Sequence, residues 1–308
     1  MRWLDHRAPV PGPLRGAIVA LGNFDGFHQG HQAVVGEAIR WARSQGRPSI
    51  VATFDPHPVR HFKPDAAPFR LTTLEQRQEL FLAAGATAML VFHFDGDLAG
   101  TTAEDFVRVL LHQRIGAAGV VTGEDFTFGK ARGGNREVLE TLGAECGIAA
   151  RAVPPVMDEG APVSSSRIRA ALQAGDCDTA TRLLTRPFAV RGVVQHGDKL
   201  GRTIGYPTAN LGLENYLRPR YGIYAVTGRI LATGRELHGA ASVGIRPMFD
   251  PPKELLEPYF FDFDGDLYGQ EIEVGFRRFL RPEAKFDSLE ELQVQMAKDC
   301  DEARAVLA

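Results

Sequence analysis

Residues 17–32 read AIVALGNFDGFHQGHQ, an apolar run that passes through a glycine-punctuated turn into the start of a helical pattern. A short run of this kind ending beside a glycine turn fits a strand of a parallel sheet. Gly22, Gly26 and Gly30 let backbone come close to a ligand, and His28 and His31 fall within one turn of the helix start. Backbone N–H groups and the helix dipole both favour negative charge there, so strand, glycine turn and helix together predict a phosphate site. The paired histidines add movable positive charge.

The pattern repeats outward from this stretch. Apolar runs at 48–54 (PSIVATF), 86–94 (ATAMLVFHF), 117–123 (AAGVVTG) and 148–154 (IAARAVP) alternate with segments of helical spacing, and most of those finish at a glycine. Such alternation predicts βα units around a parallel sheet. After Ala170, ALQAGDCDTATRLL reads as one more helix, and Arg186-Pro187 breaks the pattern. From Phe188 onward the apolar residues sit in short β-rich runs (FAVRGVVQHG, GIYAVTGRILA, LHGAASVGI, EPYFFDFDG, EIEVGFRRFL), which predicts a small antiparallel barrel. SLEELQVQMAKDCDEARAVLA closes the chain as a helix, with Ser288 and Glu291 spaced as a capping box. The reading is two domains, 1–185 and 186–308.

Composition narrows the partners. With 35 basic and 38 acidic residues the formal net charge is −3, so no whole-protein field favours a nucleic acid or an anionic membrane. Small molecules are the expected ligands, and oligomeric state stays open. Cys146, Cys177 and Cys300 are isolated, which suggests neither a disulfide framework nor a zinc site and fits a reducing cytoplasm. The opening MRWLDHRAPVPGPLRG has charges and prolines where a signal peptide needs an apolar run, and no later run is long enough to span a bilayer.

The string Gly22 to His31 resembles the GxFDGxHxGH motif of the HxGH nucleotidyltransferases, specifically the FAD synthetase branch. TFDPHP (53–58), GEDFTFGKARGG (123–134) and VSSSRIRAAL (163–172) resemble further segments of that branch, and all fall at the carboxyl ends of predicted strands. The resemblance implies a Rossmann-like α/β domain that adenylylates FMN to FAD. Within it Gly22, Asn23, Phe24, Asp25, Gly30, His28 and His31 would meet ATP, with Ser164, Ser165, Arg167 and Arg169 closing on its phosphates. Phe62 and Phe128 would sandwich the flavin ring, and Asp125, standing where many relatives have Asn, would hydrogen-bond the flavin.

A second phosphate signal lies at 193–213, VVQHGDKLGRTIGYPTANLGL. Gly197 and Gly201 permit close approach to a polyphosphate, Lys199 and Arg202 would neutralise it, and Thr208 and Asn210 are hard oxygen donors suited to Mg²⁺. This segment resembles riboflavin kinase, whose GxPTAN motif is present in full. LLEPYFFDFDGDLYGQEIEV (255–274) is similar to that family's catalytic strand, with Glu257 at the position of its general base. The family's NxGxxPTF reads SVGIRPMF here, so Ser242 and Met248 replace an Asn and a Thr.

Two lookalikes are set aside. GEDFTFGKA has five residues between its glycines where a Walker A loop has four, and Ala131 stands at the Mg²⁺-binding hydroxyl position. Asp262, Asp264, Asp266 and Glu273 mimic an EF-hand, but Leu267 takes the place of its glycine, and Asp264-Gly265 reads instead as a hairpin turn. Two other functional readings are a different HxGH nucleotidyltransferase fused to an unrelated barrel, and a flavin or nucleotide sensor without turnover.

Overall fold

The computed structural model describes residues 2–196, 205–246 and 253–308. By its own contacts the chain divides into two compact units, Met1–Ala67 with Thr73–Ser164, and Pro68–Thr72 with Ser165–Ala308.

The first unit is built on six parallel strands: β1 (Arg2–Asp5), β2 (Ile18–Leu21), β3 (Ser49–Asp55), β4 (Ala88–His93), β5 (Gly119–Gly123) and β6 (Ala149–Val153), in the spatial order β1-β4-β3-β2-β5-β6. The central strand β2 is buried on both faces. Val19 and Leu21 enter one apolar cluster with Leu90 and Leu111, while Ile18 and Ala20 enter another with Val35 and Trp41. Five strands match the expected apolar runs, β3 running one residue beyond its run to Asp55. Strand β1 was not anticipated: it is four residues long, borders a single neighbour, and is too short to show a period.

Helix α1 (Gln29–Ser44) packs on this sheet through Trp41. A Cβ at Gly119 would lie 2.4 Å from the Trp41 ring, so the absence of a side chain on β5 lets the helix sit down. Gly119→Ala is expected to destabilise the first unit by about 1–3 kcal/mol through overpacking. Trp3 and Trp41 are the chain's two tryptophans, so urea unfolding followed by tryptophan fluorescence reads this unit alone. An unchanged midpoint would count against the contact.

After a short antiparallel pair, β7 (Met157–Asp158) and β8 (Ala161–Pro162), the second unit's strands β9 (Ala189–Val193), β10 (Leu211–Gly212), β11 (Gly222–Ile230), β12 (Glu236–Arg246), β13 (Lys253–Phe260) and β14 (Glu271–Arg281) form an antiparallel sheet in the order β10-β13-β12-β11-β14-β9. A bridge between Gln195 and Asn210, with Gln195 N–H donating to the Asn210 carbonyl at 2.9 Å, brings the two edges together into a nearly closed barrel. The C-terminal helix Leu289–Leu307 packs against β11, β12 and β14, capped at Ser288 as its sequence predicts.

Two local expectations are corrected. The single helix expected after Ala170 is two, Ser165–Ala174 and Cys177–Leu184, because Gly175 turns left-handed at φ 84° and Asp176 caps the second by accepting the Thr179 N–H. Asp264-Gly265 does not close a hairpin, since β13 and β14 are not neighbours and residues 261–270 connect across the barrel. A turn dipeptide marks a change of direction, while non-local register decides which strands pair. Asp262 in this connection forms an ion pair with Arg304 of the C-terminal helix.

Candidate active sites

In the first unit the strand order reverses between β2 and β5, and the loops leaving their carboxyl ends lie side by side, where open α/β sheets bind ligands. The loop after β2 is conformationally costly. Phe24 and Phe27 are left-handed at φ 49° and 44°, with Gly26 between them at 87°. Non-glycine residues there carry roughly 1–3 kcal/mol each and persist only where the surroundings hold them. Helix α3 (Leu74–Ala83), the next after α2 (Pro58–Phe62), supplies those surroundings: Phe81, fully buried, meets Phe24 and Phe27 edge-on with ring centroids 5.9 and 5.1 Å apart.

His28 caps α1. Its Nδ1 accepts the His31 N–H at 3.4 Å, and the two imidazoles stack with centroids 3.6 Å apart. The ring of His28 lies 3.1 Å from where a Cβ on Gly30 would stand, so that glycine admits the pair. The strand-to-helix turn thus brings together Gly22, Asn23, Phe24, Asp25, His28, Gly30 and His31, with Asp25 and His28 buried.

Beside it is a cavity of about 650 Å³ walled by aromatic rings. Phe62, at the end of helix Pro58–Phe62, is 67% exposed at its rim; Phe128 is buried in its wall against Phe106 and Phe126. Phe54, Phe94 and Phe126 also line it and escaped the sequence reading, because aromatic residues in apolar runs look like ordinary core. Asp125 is exposed in the turn after β5 and does not line this cavity. Ser164 falls in the first unit, whereas Ser165, Arg167 and Arg169 belong with the second. Arg169 donates to the Phe69 carbonyl at 2.8 Å and lies over the Phe69 ring.

The second unit has its own cavity, about 460 Å³, and Thr208, Ser242, Glu257 and Tyr259 all line it. Register explains the grouping. Leu211 pairs with Leu256, and Ala209 N–H donates to the Pro258 carbonyl, which places Asn210 opposite Glu257. Ser242 pairs with Glu257 on the other side, Ile223 with Ser242, and Arg281 with Ile223. Cross-strand partners share a face, so one row across the barrel carries Asn210, Glu257, Ser242, Ile223 and Arg281. Arg281 is locked by a bidentate ion pair to the buried Asp299, with Nε–Oδ1 2.8 Å and Nη2–Oδ2 2.7 Å. That contact ties the C-terminal helix to the cavity that its residues Leu292, Met296 and Cys300 help to line. Gly197, Lys199, Gly201, Arg202 and Met248 lie outside the described residues.

The FAD synthetase family profile matches residues 11–167 and the riboflavin kinase profile residues 184–307. Over 288 residues the chain is 37% identical to the bifunctional riboflavin kinase/FMN adenylyltransferase of Escherichia coli (strain K12), covering 93% of this chain and 91% of that one. The chain belongs to the bifunctional riboflavin kinase/FMN adenylyltransferase family. Another member, from Pseudomonas fluorescens, is 38% identical over 96% of this chain and 94% of its own length. The order of the two matched halves is the one its motifs predicted.

A crystal structure from Streptococcus pneumoniae described as a macrolide-efflux protein superposes with a TM-score of 0.87 at 32% identity, covering 98% of both chains. Efflux is that protein's description. Among the described residues of this riboflavin kinase/FMN adenylyltransferase family member, no helix is long and apolar enough to cross a membrane.

Proposed function

We propose that the chain phosphorylates riboflavin to FMN in its C-terminal half and adenylylates FMN to FAD, releasing pyrophosphate, in its N-terminal half, with domains at 186–308 and 1–185. The observation that carries this reading is chemical. One cavity holds a carboxylate beside a hydroxyl, and the other is an aromatic chamber lined by Asn23, from the loop that leads into a histidine-capped helix start.

Riboflavin presents a ribityl hydroxyl, a poor nucleophile until a base removes its proton. Glu257 takes that proton as the oxygen bonds to the γ-phosphorus of ATP and ADP departs. Thr208 and Asn210 offer a hydroxyl and an amide carbonyl to Mg²⁺. Among the described residues there is no cluster of three or more His, Cys, Asp or Glu suited to a metal, and this donor pair fits an ion held largely by phosphate and water. Mg²⁺, when bound there, would neutralise charge on the ATP phosphates. Gly197, Lys199, Gly201 and Arg202 are assigned to the same phosphates from their motif.

FMN arrives with a phosphate already ionised at neutral pH. Its oxygen attacks the α-phosphorus of ATP, the bond to the bridging oxygen breaks, and pyrophosphate leaves, so alignment and charge stabilisation matter more than a base. The start of α1 and the imidazoles of His28 and His31 supply both, while Phe62 and the wall containing Phe128 receive the ring. For Asp125, Ser164, Ser165, Arg167 and Arg169 the proposed roles rest on their motifs. A cytoplasmic location accompanies this reading, supported by three free cysteines.

Incubation with ATP, Mg²⁺ and riboflavin is expected to yield FMN and then FAD by chromatography. Flavin binding in titration with neither product formed would replace the enzyme by a sensor.

A further inference from the structure

Arg77, the fourth residue of α3, is 2% exposed, and burying a guanidinium is costly, so the contacts its Nη atoms make matter. Its Nη1 reaches Thr53 Oγ1 at 3.0 Å, the Asn23 carbonyl at 3.3 Å and the Phe54 carbonyl at 3.5 Å, and its Nη2 lies 3.9 Å from Asp55 Oδ1. Thr53 Oγ1 itself donates to the Asn23 carbonyl at 2.7 Å. One buried cation therefore joins the end of β3, where the TFDPHP segment begins, to the first residue of the left-handed loop after β2.

The loop it grips carries an unspent group. Asn23 lines the aromatic cavity, and its buried Oδ1 has no hydrogen-bond partner among the described residues. With both Phe24 and Phe27 left-handed, the loop has no intrinsic preference for this shape. Phe81 holds it through packing and Arg77 through the Asn23 carbonyl.

We propose that Arg77 is a positioning residue for adenylyl transfer: it fixes the Asn23 carbonyl against the end of β3, beside the cavity that Asn23 lines, and so sets the course of the backbone into His28 and His31. This rests on the adenylyltransferase reading of the first unit. Arg77 touches no substrate; it acts through the loop.

The test measures FMN adenylylation in Arg77→Met, Arg77→Lys and Thr53→Val, with riboflavin phosphorylation by the same chains as a control for folding. Misplacing a reacting group by about 1 Å costs on the order of 100-fold, so kcat for FAD formation is expected to fall by about that factor in Arg77→Met. Thr53→Val should lose about tenfold and Arg77→Lys should recover about tenfold of the loss, with the KM for ATP changed less than kcat. Kinase turnover should stay within about twofold of wild type in all three, since the guanidinium contacts described lie in the first unit. Folded Arg77→Met and Thr53→Val proteins with wild-type kcat would overturn the proposal, as would losses that track only the fraction unfolded, with no rescue by lysine. If Arg77→Met fails to fold, Thr53→Val decides by the same criterion. A wild-type protein that makes no FAD would instead defeat the adenylyltransferase reading itself.

Discussion

Glu257→Gln is expected to reduce riboflavin phosphorylation by about 10²–10⁴-fold, the range a positioned general base supplies. The amide keeps the shape of the carboxylate and a hydrogen-bonding carbonyl but cannot take the ribityl proton. Because Glu257 sits mid-strand on β13, between Asn210 and Ser242 in the same cross-barrel row, the substitution should leave the ladder intact. The effect should appear in kcat, with the KM for riboflavin changed less. FAD formation from supplied FMN should continue at the wild-type rate. Chromatographic assays with each flavin supplied separately check both halves of the expectation. A variant that phosphorylates riboflavin normally would remove Glu257 from the mechanism.

The second large effect is expected at the histidine pair. His28→Ala removes an imidazole from the start of α1 and, on the proposed role, should lower FAD formation by about 10²–10³-fold, as loss of a transition-state donor does. It also removes the α1 cap, worth about 1 kcal/mol of stability. His28→Asn separates the two effects, because an asparagine oxygen can still accept the His31 N–H while the imidazole is gone. His28→Asn should therefore match alanine in activity and wild type in melting temperature. FMN production from riboflavin should be unaffected in both. Recovery of FAD synthesis in His28→Asn would mean that capping, and not imidazole chemistry, is what the adenylylation step needs.

Thr208 and Glu257 are far apart in the chain, and their meeting in one cavity illustrates what a motif leaves unsaid. GYPTAN and LLEPYFF each announce a local chemistry through residue type and spacing, yet the row that joins Asn210, Glu257, Ser242, Ile223 and Arg281 exists only because five strands adopt a particular register. A slip of one residue in β13 would turn Glu257 to the other face. In the first unit the glycine turn and the paired histidines were likewise readable, since both lie within one strand-to-helix turn of the chain. Arg77 was not. It stands in an unremarkable helical string, LEQRQELF, and its burial depends on three acceptors contributed by residues 23, 53 and 54.

The amino-acid sequence by itself determined the βα alternation of the first half, the short-strand barrel of the second, and the two phosphate motifs, because periodicity and glycine placement act over a few residues. Tertiary structure alone decided that helices 165–174 and 177–184 group with the second unit, that β1 extends the sheet, that β13 and β14 lie apart, and that Phe54, Phe94 and Phe126 wall a cavity. Each of those outcomes depends on strand register or packing between residues distant in the chain, and such pairings leave no mark in local spacing.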